Sequence, residues 1–193
     1  MRRELAVVAL LASVAEADVK THIEEIRQAV AKTEELDPAG VEITVLDHAD
    51  VPGLVVFRAK LTAARARRAG AFVGVYGAGK ALTDSDEAMQ AVINAWHYGA
   101  RRTVPAERVA AVLGFLEGVR EPAHPILTAA DLSAVANPEW RGKVALPREV
   151  TVQGKPGVEY FNRSGQPPLW RTVAVVDGHG TLELSITPIN RLP

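Results

Sequence analysis

Cysteine is absent from this chain. That excludes disulfides, thiolate nucleophiles, Cys-ligated zinc and iron–sulfur clusters, although it leaves the compartment open, because exported proteins need no disulfides. Charge of either sign is not in excess: 22 Lys and Arg stand against 23 Asp and Glu. A net charge of −1 favours neither nucleic acid nor an anionic membrane surface. No run of about 20 apolar residues is present, the length a membrane-spanning helix needs. The five histidines, at 22, 48, 97, 124 and 179, form no HxH or HExxH pattern. His22 and Glu25 stand one helical turn apart, but Glu25 reads more simply as part of a solvated face. Ser164 in "NRSGQPP" lacks the flanking glycines of a nucleophile elbow, since Asn162 and Gln166 stand in their places. The sequence therefore assigns no catalytic residue, no metal ligand and no cofactor.

What is present is an ordinary globular composition, 48% hydrophobic and 23% charged. The first residues are the most distinctive. Arg2 and Arg3 precede a short, largely apolar run from Leu5 to Ala15, which ends in Ala15-Glu16-Ala17. A positive start, a short apolar centre and a small-x-small exit form the layout of a secretory signal peptide, with a mature chain beginning at Asp18. The expected location is then secreted or periplasmic; without cleavage it is cytoplasmic.

Beyond this segment the periodicity becomes helical. Val19, Ile23, Ile26 and Val30 form one apolar stripe, stopped by "DPAG" at 37–40. Strand-like runs follow in "VEITVL", "LVVFRAKL" and "AFVGVY". Helical segments return over "TDSDEAMQAVINAWHYGA", with Thr83 or Asp84 as cap, and over "PAERVAAVLGFLEG". Residues 119–147 read as an irregular connector with one short helical turn at "TAADLSAVA". Residues 148–193 are strand-rich again. The division expected is 1–17 as signal, 18–118 as helix, first meander and helical segment, 119–147 as connector and 148–193 as second meander, with 18–193 compatible with one compact domain.

Both strand-rich parts contain a similar series: "EITV", Pro52-Gly53, Phe57 and "AFVGVYGAGKAL" in one; "EVTV", Pro156-Gly157, Phe161 and "TVAVVDGHGTLE" in the other. The fold class expected is α+β, with two antiparallel three-stranded meanders, each preceded by helix, in the manner of a duplicated αβββ unit. Helices are expected on one face of the sheet.

The stretch "GVYGAGKALT", residues 74–83, has a second reading. Gly74, four residues, then Gly79-Lys80 is the spacing of a phosphate-cradling P-loop, and "VAVVD" ending at Asp177 resembles its magnesium-organising partner. Against this, Ala81 occupies the position of the metal-binding hydroxyl, and helix signals begin only at Thr83. The matching loop around Gly178 and Gly180 lies between two strands, so hairpin turns explain both Gly-x-Gly pairs.

Charge is segregated along the chain. From Val51 to Thr83 there is no acidic residue, while Arg58, Lys60, Arg65, Arg67, Arg68 and Lys80 are all basic. Arg65, Arg67 and Arg68 form the candidate binding cluster, because guanidinium groups match carboxylate and phosphate forks. The same charges can instead be neutralised within the fold. No aromatic residue interleaves with the arginines, so nucleic acid is not the expected partner. Two readings stand at this point. The leading one is a non-catalytic exported protein that binds a protein or a small anionic ligand. The alternative is a nucleotide-binding protein using Gly74, Gly79, Lys80 and Asp177. Mass spectrometry of the native protein is expected to find its N-terminus at or near Asp18; an intact Met1 in a soluble cytosolic fraction would overturn export.

Overall fold

The computed structural model describes residues 22–46, 49–62, 70–98, 104–118, 123–164 and 169–192. Its first element, helix α1, covers residues 22–34. The first sheet is an antiparallel meander, β1 (Val41–Val45), β2 (Val55–Leu61), β3 (Ala71–Gly77) and β4 (Lys80–Leu82), in that spatial order. Two helices follow, α2 (Ser85–Trp96) and α3 (Ala106–Leu116). The segment expected to be irregular contains β5 (Ala123–Pro125), α4 (Ala129–Ser133) and α5 (Pro138–Arg141). The second sheet joins β5 to β6 (Arg148–Val152), β7 (Lys155–Ser164), β8 (Leu169–Val176) and β9 (Leu182–Pro188), five strands in all. Strands β5 and β6 pair with opposite ends of β7, which has β8 on its other side. The protein is thus α+β with antiparallel sheets, and each meander has four strands rather than three.

Side-chain alternation sets the layers, because successive residues of a strand point to opposite faces. Val56, Val73 and Val75 of the first sheet face α2 and α3, and so do Val158, Tyr160, Ala174 and Val176 of the second. The two helices are therefore sandwiched, and they contribute Ala88, Met89, Val92, Ile93, Trp96, Val109, Ala110, Val112, Leu113 and Leu116 to one shared core. The other face of the first sheet buries Phe57, Ala59, Leu61 and Phe72 under Ile26, Val30 and Ala31 of α1. The other face of the second buries Phe161 and Leu169 with Ile126, Val135, Val144 and Ile189. Helices thus pack on more than one face, because each sheet is apolar on both sides and each side needs cover.

The helix ends follow local chemistry. Asp84 caps α2 by accepting from the amides of Asp86 (3.0 Å) and Glu87 (3.1 Å). Thr128 and Asp131 form a capping box on α4. His97 closes α2 in the left-handed conformation at φ 49°, and Trp96 stays in the core with its indole N–H on the Asp50 carbonyl (3.2 Å). Tyr98, the residue after His97, is also buried in the shared core.

The apparent repeat has partial structural counterparts. Phe57 and Phe161 both lie on the face turned away from α2 and α3. The Pro-Gly pairs do not correspond: Pro52-Gly53 precedes β2, whereas Pro156-Gly157 lies inside β7. In the second sheet the turn is made by Gln153 and Gly154, both at positive φ.

Residues 74–82 form the β3–β4 hairpin, with Gly77 paired to Lys80 and Ala78 and Gly79 at φ 48° and 75°. Two positive φ values in a two-residue turn match the twist of the flanking strands. Lys80 opens a strand, and the helix begins only at Ser85. Gly74 is required for a different reason: a Cβ there would lie 2.3 Å from the Leu82 carbonyl oxygen and 3.0 Å from the Phe57 ring. Replacing Gly74 with Ala is expected to cost about 2–4 kcal/mol, as overpacking against backbone does when nothing can move aside. Gly79→Ala should cost roughly 1 kcal/mol, because its strain is confined to one turn. Urea unfolding of the two variants checks the order.

Candidate functional site

Sheet register brings three charged side chains together on the outer face of the second sheet. Glu159 of β7 lies directly opposite Arg148 of β6, and Arg171 lies diagonally across on β8, opposite Phe161. The Glu159 carboxylate is 3% exposed, and each of its oxygens accepts from one arginine: Oε2 from Arg148 Nε and Oε1 from Arg171 Nε. Burial alone would push this carboxyl up. The two charge-assisted hydrogen bonds and the arginine charges outweigh it and hold Glu159 below the ordinary carboxylate range.

Each guanidinium spends only its Nε–H on Glu159, and among the described residues the terminal nitrogens have no other recorded acceptor. A guanidinium carries five N–H donors, so most remain to be used. The recess beside them, about 320 Å³, is floored by Phe161 and rimmed by Lys143 and Leu192. Lys143 donates to the Leu192 carbonyl at 2.5 Å. Among the described residues, three cations and one carboxylate line the recess, an excess of two positive charges.

A second carboxylate lies on the inner side of the same sheet. Glu117, just beyond α3, accepts from the Tyr160 hydroxyl (2.5 Å), from the Asn162 amide and from the Thr172 hydroxyl (3.3 Å). All three donors belong to residues that are at most 2% exposed. Desolvation raises the Glu117 pKa, and its three hydrogen bonds only partly offset that rise. Tyr160 is pushed far up by burial and by the adjacent carboxylate. Gly114 makes room for this cluster, since a Cβ there would stand 2.7 Å from Asn162 Oδ1 and 3.0 Å from Pro125 Cβ.

The residues nominated by the sequence fall elsewhere. Arg65, Arg67 and Arg68 lie outside the described residues. Gly74, Gly79 and Lys80 belong to the β3–β4 hairpin of the first sheet. Asp177 sits in the β8–β9 turn of the second, where its carboxylate accepts from the amides of His179 and Thr181, both at 2.8 Å. These backbone bonds, Thr181's above all, hold its pKa low and latch the hairpin. Residues 74–82 do not form the strand-to-helix turn of a P-loop, and Asp177 is already engaged by its own turn. No group of three or more His, Asp or Glu suited to a metal occurs among the described residues, and no helix among them is long and apolar enough to cross a membrane.

Neither Glu159 nor Glu117 stood out in the sequence. Their only local signal is an acidic residue embedded in apolar chain, "VEYF" and "FLEG". Compared with family models, curated proteins and solved structures, the chain matches none.

The two carboxylates bias stability in opposite directions with pH. Glu159, lowered in the fold, contributes above the ordinary carboxylate range and loses that contribution as pH falls through its depressed pKa. Glu117, raised in the fold, favours the folded chain in its protonated form, so its contribution is lost as pH rises from 4.5 through the raised value. The melting temperature of Glu117→Gln relative to the parent is therefore expected to improve between pH 4 and 8, and a difference independent of pH would contradict the assignment. Gly114→Ala is expected to destabilise by about 1–3 kcal/mol despite the gain in helix propensity, because it displaces the Asn162 donor.

Proposed function

We propose that this chain is a non-catalytic binding protein that takes a small anionic group, carboxylate or phosphate, in the recess formed by Lys143, Arg148 and Arg171. The observation that carries the reading is the arrangement of the two arginines: one buried carboxylate holds both guanidinium groups by Nε and leaves the ends of their forks uncommitted. Pre-positioned guanidinium forks bind planar or tetrahedral anions with little ordering cost. The apolar Phe161 floor lowers the local dielectric and strengthens each contact.

The recess supplies binding chemistry rather than catalysis. Its titratable side chains are three cations and Glu159, and both oxygens of that carboxylate are engaged. Among the described residues, no hydroxyl nucleophile or histidine lines it. On the same reading the protein meets its ligand outside the cytoplasm, as its first 17 residues predict. The arginine-rich segment 65–68 stays a second place where an anionic partner would bind.

Titration with inorganic phosphate, pyrophosphate and succinate tests this. At least one is expected to raise the melting temperature at low salt, with the shift fading as ionic strength rises. Arg171→Gln and Arg148→Gln are each expected to weaken binding by about tenfold, the loss of one charge-assisted contact. ATP with magnesium discriminates the nucleotide reading: a shift abolished by Lys80→Ala but kept in Arg171→Gln would favour the hairpin. Absence of any shift with all the anions would overturn the recess as a binding site.

A further inference from the structure

The second sheet carries a further binding element at its β9 edge. The Leu182 amide donates to the Gln90 side chain (2.8 Å), so it points away from β8. Gln90 also donates to the Gly180 carbonyl (2.9 Å) and to Asn94 Oδ1 (2.9 Å). The side-chain amide of Gln90 thus imitates the backbone of a neighbouring strand over the first residues of this edge. Antiparallel residues alternate between inward and outward backbone groups. Leu184 and Ile186 share the phase of Leu182, so their N–H and C=O groups face the same open side. No partner for them on that side is recorded among the described residues.

The side chains beside this edge are apolar. Leu182 and Leu184 turn toward the α2–α3 layer and, with Leu82 and Ala91, line a groove of about 730 Å³. Ile186 is 50% exposed at its continuation. Natural edge strands are commonly protected by lysine, by extreme shortness or by bulges. Strand β4 is three residues long and opens with Lys80. Strand β9 is seven residues long, carries no Lys or Arg, and has its one protective proline, Pro188, only at its last position.

The charges around the groove are acidic. Asp86 and Glu87 line it from the first turn of α2, and among the described residues no basic side chain lines it. Glu183 stands on the other face of β9, bonded to Lys155 (2.8 Å). A second copy of this chain would bring matching acidic rims together, which disfavours self-pairing.

We propose that the β9 edge takes an extended segment of a partner polypeptide whose residues alternate apolar and basic. Such a segment adds as a sixth strand, beside β9. Its backbone pairs with Leu184 and Ile186, its apolar side chains enter the groove, and its basic side chains lie on the face of Glu183, where the acidic rim attracts them through its field rather than by contact. This site is separate from the arginine recess and does not depend on it.

The probe is the acetylated heptapeptide KVTVKVK, with EVTVEVE as the charge-reversed control. Binding of KVTVKVK, measured by fluorescence anisotropy on the full chain, is expected with slowed hydrogen exchange at the Leu184 and Ile186 amides. EVTVEVE is expected to bind at least tenfold more weakly. Ile186→Pro removes one outward donor without touching the β8 ladder, and should abolish binding at an unchanged melting temperature. Asp86→Asn with Glu87→Gln should weaken it several-fold, which keeps the proposal testable if the proline variant unfolds. No binding of KVTVKVK would overturn the proposal. So would binding that leaves Leu184 and Ile186 exchange unchanged, or a sedimenting dimer that Ile186→Pro dissolves.

Discussion

Everything else in this fold depends on the burial of α2 and α3 between two sheets. Helix α3 has little solvated side: it buries Ala106, Val109, Ala110, Val112, Leu113 and Leu116 around much of its circumference. A helix apolar on more than one face needs cover on more than one face. The sheets provide it through Val56, Val73 and Val75 on one side and Val158, Tyr160, Ala174 and Val176 on the other. Each fully buried aliphatic side chain contributes about 1.5–3 kcal/mol, so this shared layer dominates the favourable side of folding.

Strand β7 turns that packing into chemistry. It is bonded along both sides, by β5 and β6 on one and by β8 on the other. Its alternation sends Tyr160 and Asn162 inward to Glu117 and Glu159 outward to Arg148 and Arg171. Two carboxylates thus lie on opposite sides of one strand, in opposite electrostatic circumstances. Glu117 has only neutral donors, and desolvation wins. Glu159 has two full charges, and they win. The difference follows from partners, since both carboxylates are largely removed from water.

Much of the local structure was legible in the sequence. The stripe containing Ile26 and Val30 marked α1, Asp84 marked the start of α2, and both Gly-x-Gly stretches marked hairpins rather than phosphate loops. The reasons are short-range: caps, turn φ values and periodicity are written within a few residues. Strand β4 was missed because three residues, Lys80-Ala81-Leu82, cannot display an alternation. The need for Gly74 was hidden for a related reason, since the obstacle to a side chain there is the Leu82 carbonyl, placed by pairing that spacing alone does not reveal. The arginine recess was illegible altogether. Arg148, Glu159 and Arg171 are separated by 11 and 12 residues and meet only through the registers of three strands. A lone acid between a valine and a tyrosine reads as an ordinary strand residue until its neighbours are known.

The sandwiched helical layer also bears on how such a chain can change over generations. A protein whose sheets each own a private core can lose, swap or duplicate one of them by recombination. Here the middle layer belongs to both, so a crossover between the sheets would hand one descendant a wall without its filling. Variation is freer at the periphery: α1 on one outer face, α4 and α5 on the other, each seated over its own small cluster. New specificities would therefore arise by refitting these outer coverings while the middle stays constant.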